Sequence, residues 1–145
     1  MNNHIKLEFI SLSQNEALAR TVTAAFVSSL DPTIEEIADI RTAVSEAVTN
    51  AIVHGYKNTS GTVTLECMLE NRLLTVRISD NGRGIENIEQ AMQPFFTTDA
   101  EHERTGMGFA VMKAFMDSLD VKSAVGGGTM VTMQKRLLSD DENGR

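Results

Sequence analysis

Thr62-Val63-Thr64-Leu65-Glu66-Cys67-Met68-Leu69-Glu70 and Leu73-Leu74-Thr75-Val76-Arg77-Ile78-Ser79 alternate apolar with polar residues on either side of Asn71, and the second run ends on Asp80. A period of two marks half-buried strands, and a short asparagine break between two such runs predicts a hairpin. Upstream, Ile5, Leu7 and Phe9 alternate with Lys6 and Glu8 as a first strand. Downstream, Val121 to Val125 and Thr129 to Leu137 flank Gly126-Gly127-Gly128 as a last hairpin. Between the strands the period lengthens. Ser13 and Glu16 have capping-box spacing before Leu18, Val22, Ala25, Phe26 and Leu30, a stripe that stops at Pro32. Thr33 and Glu36 repeat that spacing before Ile37, Ile40, Val44, Val48, Ala51 and Ile52, which make the core face of a long second helix ending near Gly55. Ile88 to Met92 forms a short helical piece, and Phe109, Met112, Phe115, Met116 and Leu119 form a third stripe. The sum is an α+β two-layer sandwich, with helices on one face of a mixed, mainly antiparallel sheet.

At 145 residues the chain reads as a single domain, 1–145, with a polar tail at 139–145. A domain of that size buries roughly 68–70% of the surface its unfolded chain exposes, so no disulfide is required. The lone Cys67 falls in phase with Val63, Leu65 and Leu69, which predicts a core position rather than a reactive thiol. No apolar stretch approaches the roughly 18 residues of a spanning helix. Residues 1–6 have neither the basic nor the apolar region of a leader. The sequence thus predicts a cytoplasmic protein without a membrane association. With 13 basic against 20 acidic side chains, the net charge of −7 opposes direct binding to nucleic acid. Any control of a nucleic-acid process is expected to run through a protein.

Four groups of residues carry candidate chemistry. Glu46, Asn50 and His54 lie four apart on the second helix and stack on one side of it, which by itself is also the pattern of a solvated helix face. Asp80-Asn81-Gly82-Arg83-Gly84 puts a carboxylate where a strand gives way to a turn, and glycines there let a ligand approach the backbone; the same residues make good ordinary turns. Arg104-Thr105-Gly106-Met107-Gly108 opens the third helix, where unpaired amides and a fixed cation can hold phosphates. Thr129 follows a glycine run that is first a hairpin turn. The stretch from Asp80 to Gly108 is long for a segment without clear period, which points to function or to mobility.

Their order resolves these readings. Glu46-x-x-x-Asn50, Asp80-x-Gly82-x-Gly84, Gly106-x-Gly108 and Gly128-Thr129 resemble the ordered boxes of the GHKL superfamily of ATPases and kinases, whose fold is the Bergerat fold. Ser45-Glu46-Ala47-Val48-Thr49-Asn50-Ala51-Ile52-Val53-His54-Gly55-Tyr56, Pro94-Phe95-Phe96-Thr97-Thr98 and Arg104 to Phe109 are closely similar to the anti-sigma-F factors of endospore-forming bacteria. The likeness spans nearly the whole chain.

The resemblance implies an ATP site with Asp80 on the adenine amino group and Asn50 on Mg2+. It also implies Gly82, Gly84, Thr105, Gly106, Met107, Gly108 and Thr129 around the nucleotide, and a lid before the last helix. It implies partners too: a sigma factor held inactive, an anti-anti-sigma protein phosphorylated on serine, and a second copy in a homodimer for which strand one and helix one are the candidate surface. Arg20 is the candidate partner contact, against the plain alternative of a solvated charge. Position 46 bears on the chemistry. A serine hydroxyl must lose a proton as it attacks, so Glu46 is suited to act as general base, with Arg104 stabilising the transferred charge. Sensor histidine kinases usually carry Asn there, and their phosphoacceptor helical domain is missing. An ATP-gated binding module with little turnover, a relative serving a stress sigma factor and a detached sensor-kinase domain remain as alternatives. His54 and Tyr56 are read as packing or hydrogen-bonding at the helix end.

Overall fold

The computed structural model describes residues 2–93 and 108–138. Five strands, β1 (Asn2–Ile10), β2 (Thr62–Glu70), β3 (Leu73–Asp80), β4 (Ser118–Ala124) and β5 (Gly128–Arg136), form one sheet in the order β1-β2-β3-β5-β4. All four pairings are antiparallel. The parallel component expected of a mixed sheet is therefore missing among the described strands, and the rest of the expected architecture holds. The central hairpin turns through Asn71 at φ 56°, a left-handed conformation that asparagine tolerates.

Strand alternation decides which face is covered. Val63, Leu65, Cys67 and Leu69 are at most 1% exposed, while Thr64, Glu66 and Met68 between them are only partly covered. Onto the buried face pack α1 (Asn15–Val27), α2 (Ile34–Thr49) and α4 (Gly108–Phe115), with α2 between the other two; α3 (Ile88–Ala91) is a short turn of helix. Burial of each large apolar side chain such as Ile40, Val44 and Val48 contributes about 1.5–3 kcal/mol. Cys67 is in this core, where burial pushes its thiol up to about 11 and Thr23 supplies a hydrogen-bond partner at 3.7 Å.

The α2 capping box forms as its sequence predicts. Thr33 Oγ1 accepts from the Glu36 N–H, and Glu36 Oε1 accepts from the Thr33 N–H. The second oxygen of this buried carboxylate accepts the Leu138 N–H at 2.9 Å, so the same residue ties the segment after β5 to the start of the central helix.

Helix α1 departs from expectation twice. Phe26 and Leu30 of the expected stripe are buried, but Ala19, Thr23 and Val27 take the buried places expected of Leu18, Val22 and Ala25; Leu18 is 46% exposed. The small side chains at 19 and 23 let the helix approach the sheet closely, and the Thr23 hydroxyl is satisfied by the Ala19 carbonyl at 2.9 Å. Nor does Ser13 cap α1. Gln14 occupies the cap without a side-chain bond, and the Glu16 carboxylate instead accepts from the Ser45 hydroxyl on α2 and lies 3.6 Å from Arg20 Nε. At the other end of the chain β4 begins at Ser118, which takes Leu119 out of the helical stripe and into a strand.

Candidate functional site

The long second helix does not run to Gly55 as one α-helix. After Thr49 it widens into a π-helical turn over Asn50–Gly55, closed by the Tyr56 N–H on the Ala51 carbonyl at 3.2 Å. Such widened turns cost hydrogen-bond geometry and occur frequently at functional sites. Here the turn carries Asn50 and His54 to one wall of a cavity of about 680 Å³ and delivers its last carbonyl to the loop that follows β3. The volume lies in the range of small-molecule sites.

Asp80 stands on the same cavity. It is 8% exposed, with Oδ1 accepting the Gly82 N–H at 2.9 Å and the carboxylate also accepting the Thr129 N–H. Burial pushes the carboxyl above the usual carboxylate range, and those two N–H groups pull against the shift. An acceptor desolvated in this way gains most from a further donor supplied by a ligand.

The turn after Asp80 is stitched to the π-turn. The Arg83 N–H donates to the Gly55 carbonyl at 2.9 Å and Arg83 Nε to the His54 carbonyl at 2.8 Å. A Cβ on Gly82 would lie 1.9 Å from the Gly55 oxygen, so only glycine allows this approach. Gly84, at φ 77°, lines the cavity, as does Thr129, whose hydroxyl is 2.8 Å from that of Ser123.

Across the cavity α4 begins at Gly108. A Cβ there would lie 3.2 Å and 3.3 Å from the two carboxamide atoms of Asn50 and 3.3 Å from Glu46 Oε2. Glu46, Asn50 and Gly108 are thus one cluster. Glu46 also lines a second groove of about 390 Å³ between α1 and α2, together with Arg20, Arg41 and Ser45. Arg104, Thr105, Gly106 and Met107, and the lid expected before them, lie outside the described residues.

One amide oxygen with a carboxylate nearby is too few ligands for an all-protein cage, and the described residues hold no cluster of three or more acidic, histidine or cysteine side chains. That donor set fits Mg2+, which is usually held by one or two side chains plus phosphate oxygens.

The cavity's apolar walls, among them Ile78, Ile85, Phe109, Val125 and Val131, were not singled out in the sequence. For two of them a signal existed: Ile78 is two residues before Asp80 and Val131 two after Thr129, so strand alternation puts each on the ligand-facing side. Tyr56 hydrogen-bonds at the helix end as expected, its hydroxyl accepting the Asn81 N–H at 2.7 Å.

A buried acceptor at a strand end, an amide-bearing helix across the cavity and a glycine-bounded helix start define an ATP-binding domain of the histidine kinase-like class. The family model described as histidine kinase-like ATPase domain matches residues 10–135. Anti-sigma F factors are similar over almost their whole length. That of Thermoanaerobacter sp. (strain X514) is 58% identical, over 95% of this chain and 96% of the relative. That of Clostridium kluyveri is 56% identical, over 92% and 94%. The chain belongs to the anti-sigma F factor family of histidine kinase-like ATPase domains. A crystal structure of the RsbU and RsbW domains of a Mycobacterium tuberculosis protein shares the fold, with a TM-score of 0.64 at 21% identity, over 94% of this chain and 32% of that longer one.

Proposed function

We propose that this chain holds a sporulation sigma factor of the sigma F kind inactive, and uses Mg-ATP to phosphorylate a serine of the anti-anti-sigma protein that competes for it. The observation that carries the catalytic half is that Asn50, Gly108 and buried Asp80 line one cavity and that Glu46 stands beside Asn50 and Gly108. The names of the relatives carry the anti-sigma half.

In this reading Asp80 accepts the adenine amino group, while Gly82, Gly84 and Thr129 let the backbone close on the nucleotide. Asn50 offers its amide oxygen to Mg2+, which supplies charge neutralisation at the phosphates when bound. Gly108 keeps the start of α4 open to phosphate oxygens, with Thr105, Gly106 and Met107 adding amides and Arg104 a fixed positive charge. Glu46 takes the proton of the incoming serine hydroxyl as its oxygen bonds the γ-phosphorus; the bond to the β-phosphate oxygen breaks and ADP leaves. Glu46 lines both the inter-helix groove and the Gly108 cluster, so a serine presented from the groove side would meet it first. Arg20, in the same groove, serves as a partner contact. The protein works in the cytoplasm, as a single domain in a homodimer paired through β1 and α1.

The test is reconstitution with the purified sigma factor and anti-anti-sigma protein of the same organism and γ-labelled ATP. The proposal expects ATP-dependent retention of the sigma factor and label on serine. Retention without phosphoserine would reduce the chain to an ATP-gated binding module. Retention of a stress sigma factor instead would move it to that related system.

A further inference from the structure

The β2–β3 ladder ends on a side chain. Its last backbone pair is Val63 with Asp80, so Thr62 and Asn81 would form the next rung. At that place the Asn81 N–H donates to the Tyr56 hydroxyl at 2.7 Å, and the hydroxyl donates to the Thr62 carbonyl at 2.7 Å. The hydroxyl is inserted into the rung. Two hydrogen bonds in series now span a gap that one would otherwise close, and the strands separate immediately beyond the carboxylate. Tyr56 is only 6% exposed, and its ring is held against Gly61, where a Cβ would lie 2.3 Å from the ring edge. Past the separation the chain turns sharply: the Gly82 N–H returns to Asp80 Oδ1, and the Arg83 N–H crosses to Gly55.

We propose that Tyr56 is a positioning residue for base recognition, a wedge that stops the ladder at Asp80 and so sets the direction in which that carboxylate meets a ligand. The proposal rests on the reading of Asp80 as the adenine acceptor. Tyr56→Phe keeps the ring on Gly61 but removes both hydrogen bonds. The Asn81 N–H can then pair directly with the Thr62 carbonyl, adding a rung and drawing Asp80 toward β2.

The probes are ATP and inosine triphosphate, titrated calorimetrically with Mg2+ into the full chain. Inosine carries a carbonyl where adenine has its amino group, so it offers Asp80 no donor from that position. The wild type should prefer ATP. In Tyr56→Phe, ATP affinity should fall by roughly tenfold while inosine triphosphate affinity changes within about twofold, so the preference narrows. Gly61→Ala, which displaces the ring but keeps the hydroxyl, should narrow it in the same way. A merely structural Tyr56 would lower the melting temperature and leave the ratio of affinities unchanged, and that result in either folded variant overturns the proposal. A wild type without preference would instead remove the adenine reading of Asp80, and the role of Tyr56 with it.

Discussion

Asp80→Asn isolates the charge at the adenine site. The wild-type carboxylate is 8% exposed and already accepts two backbone N–H groups, from Gly82 and Thr129. A carboxylate has about four lone-pair sites, so capacity remains for the amino group of adenine. Asparagine keeps one oxygen and turns a donor toward positions where donors already point. Losing a charged acceptor in a buried site costs about 1.5–3 kcal/mol, which is roughly a 10- to 100-fold rise in the ATP dissociation constant. Calorimetric titration measures it, with thermal melting to establish that the variant is folded. The pH dependence gives a second handle. Burial raises the Asp80 carboxyl above its ordinary value in the folded, nucleotide-free protein. Its contribution to stability is therefore fully present below the ordinary carboxylate value and is lost as pH rises through the raised one. ATP selects the ionised form, so affinity should climb over that same rise in pH, and the climb should vanish in the asparagine variant. A dissociation constant unchanged within twofold in a folded variant would take Asp80 out of the adenine site.

Two further substitutions separate binding from chemistry. Asn50→Ala should abolish the Mg2+ dependence of nucleotide binding and lower transfer by at least about tenfold, while the helical circular-dichroism signal persists because alanine is a good helix former. Gly108→Ala should still fold, since its new methyl would meet side-chain ends rather than backbone. Yet it should slow transfer by roughly 10- to 100-fold, because its methyl would sit 3.2–3.3 Å from Asn50 and Glu46 and push both off their positions. Melting curves and single-turnover assays on the same preparation decide it.

Much of the fold was legible because the strand runs alternate cleanly and because Thr33 and Glu36 cap α2 as their spacing predicts. Helix α1 buries Phe26, as its stripe predicts, but Ala19 in place of Leu18. Periodicity weights Leu18 above Ala19, whereas close packing on the sheet favours the smaller side chain, and only the tertiary structure arbitrates. Ser13 and Glu16 show the same limit, since a capping pattern competes with any tertiary partner, and Ser45 on another helix claimed the carboxylate. At the site, Glu46, Asn50, Asp80 and Gly108 were readable from motif order, and the structure brings Asn50, Asp80 and Gly108 to one cavity with Glu46 beside Gly108. The π-turn was not readable, because widening by one residue at Asn50 leaves no mark in an apolar stripe that simply ends. Tyr56 was invisible as a wedge for a related reason: its partners, Asn81 and Thr62, are backbone groups that any residue supplies.

The catalytic reading stands or falls on Glu46 working as a base on a serine acceptor. Glu46→Gln preserves size and most hydrogen bonding but removes basicity. In single-turnover transfer from γ-labelled ATP to the anti-anti-sigma protein, with Mg-ATP saturating, the account predicts a fall of roughly 10²–10⁴-fold at near-normal ATP affinity and with the sigma factor still held. A transfer rate within a few-fold of wild type would contradict it and leave Glu46 as a charge on a helix face.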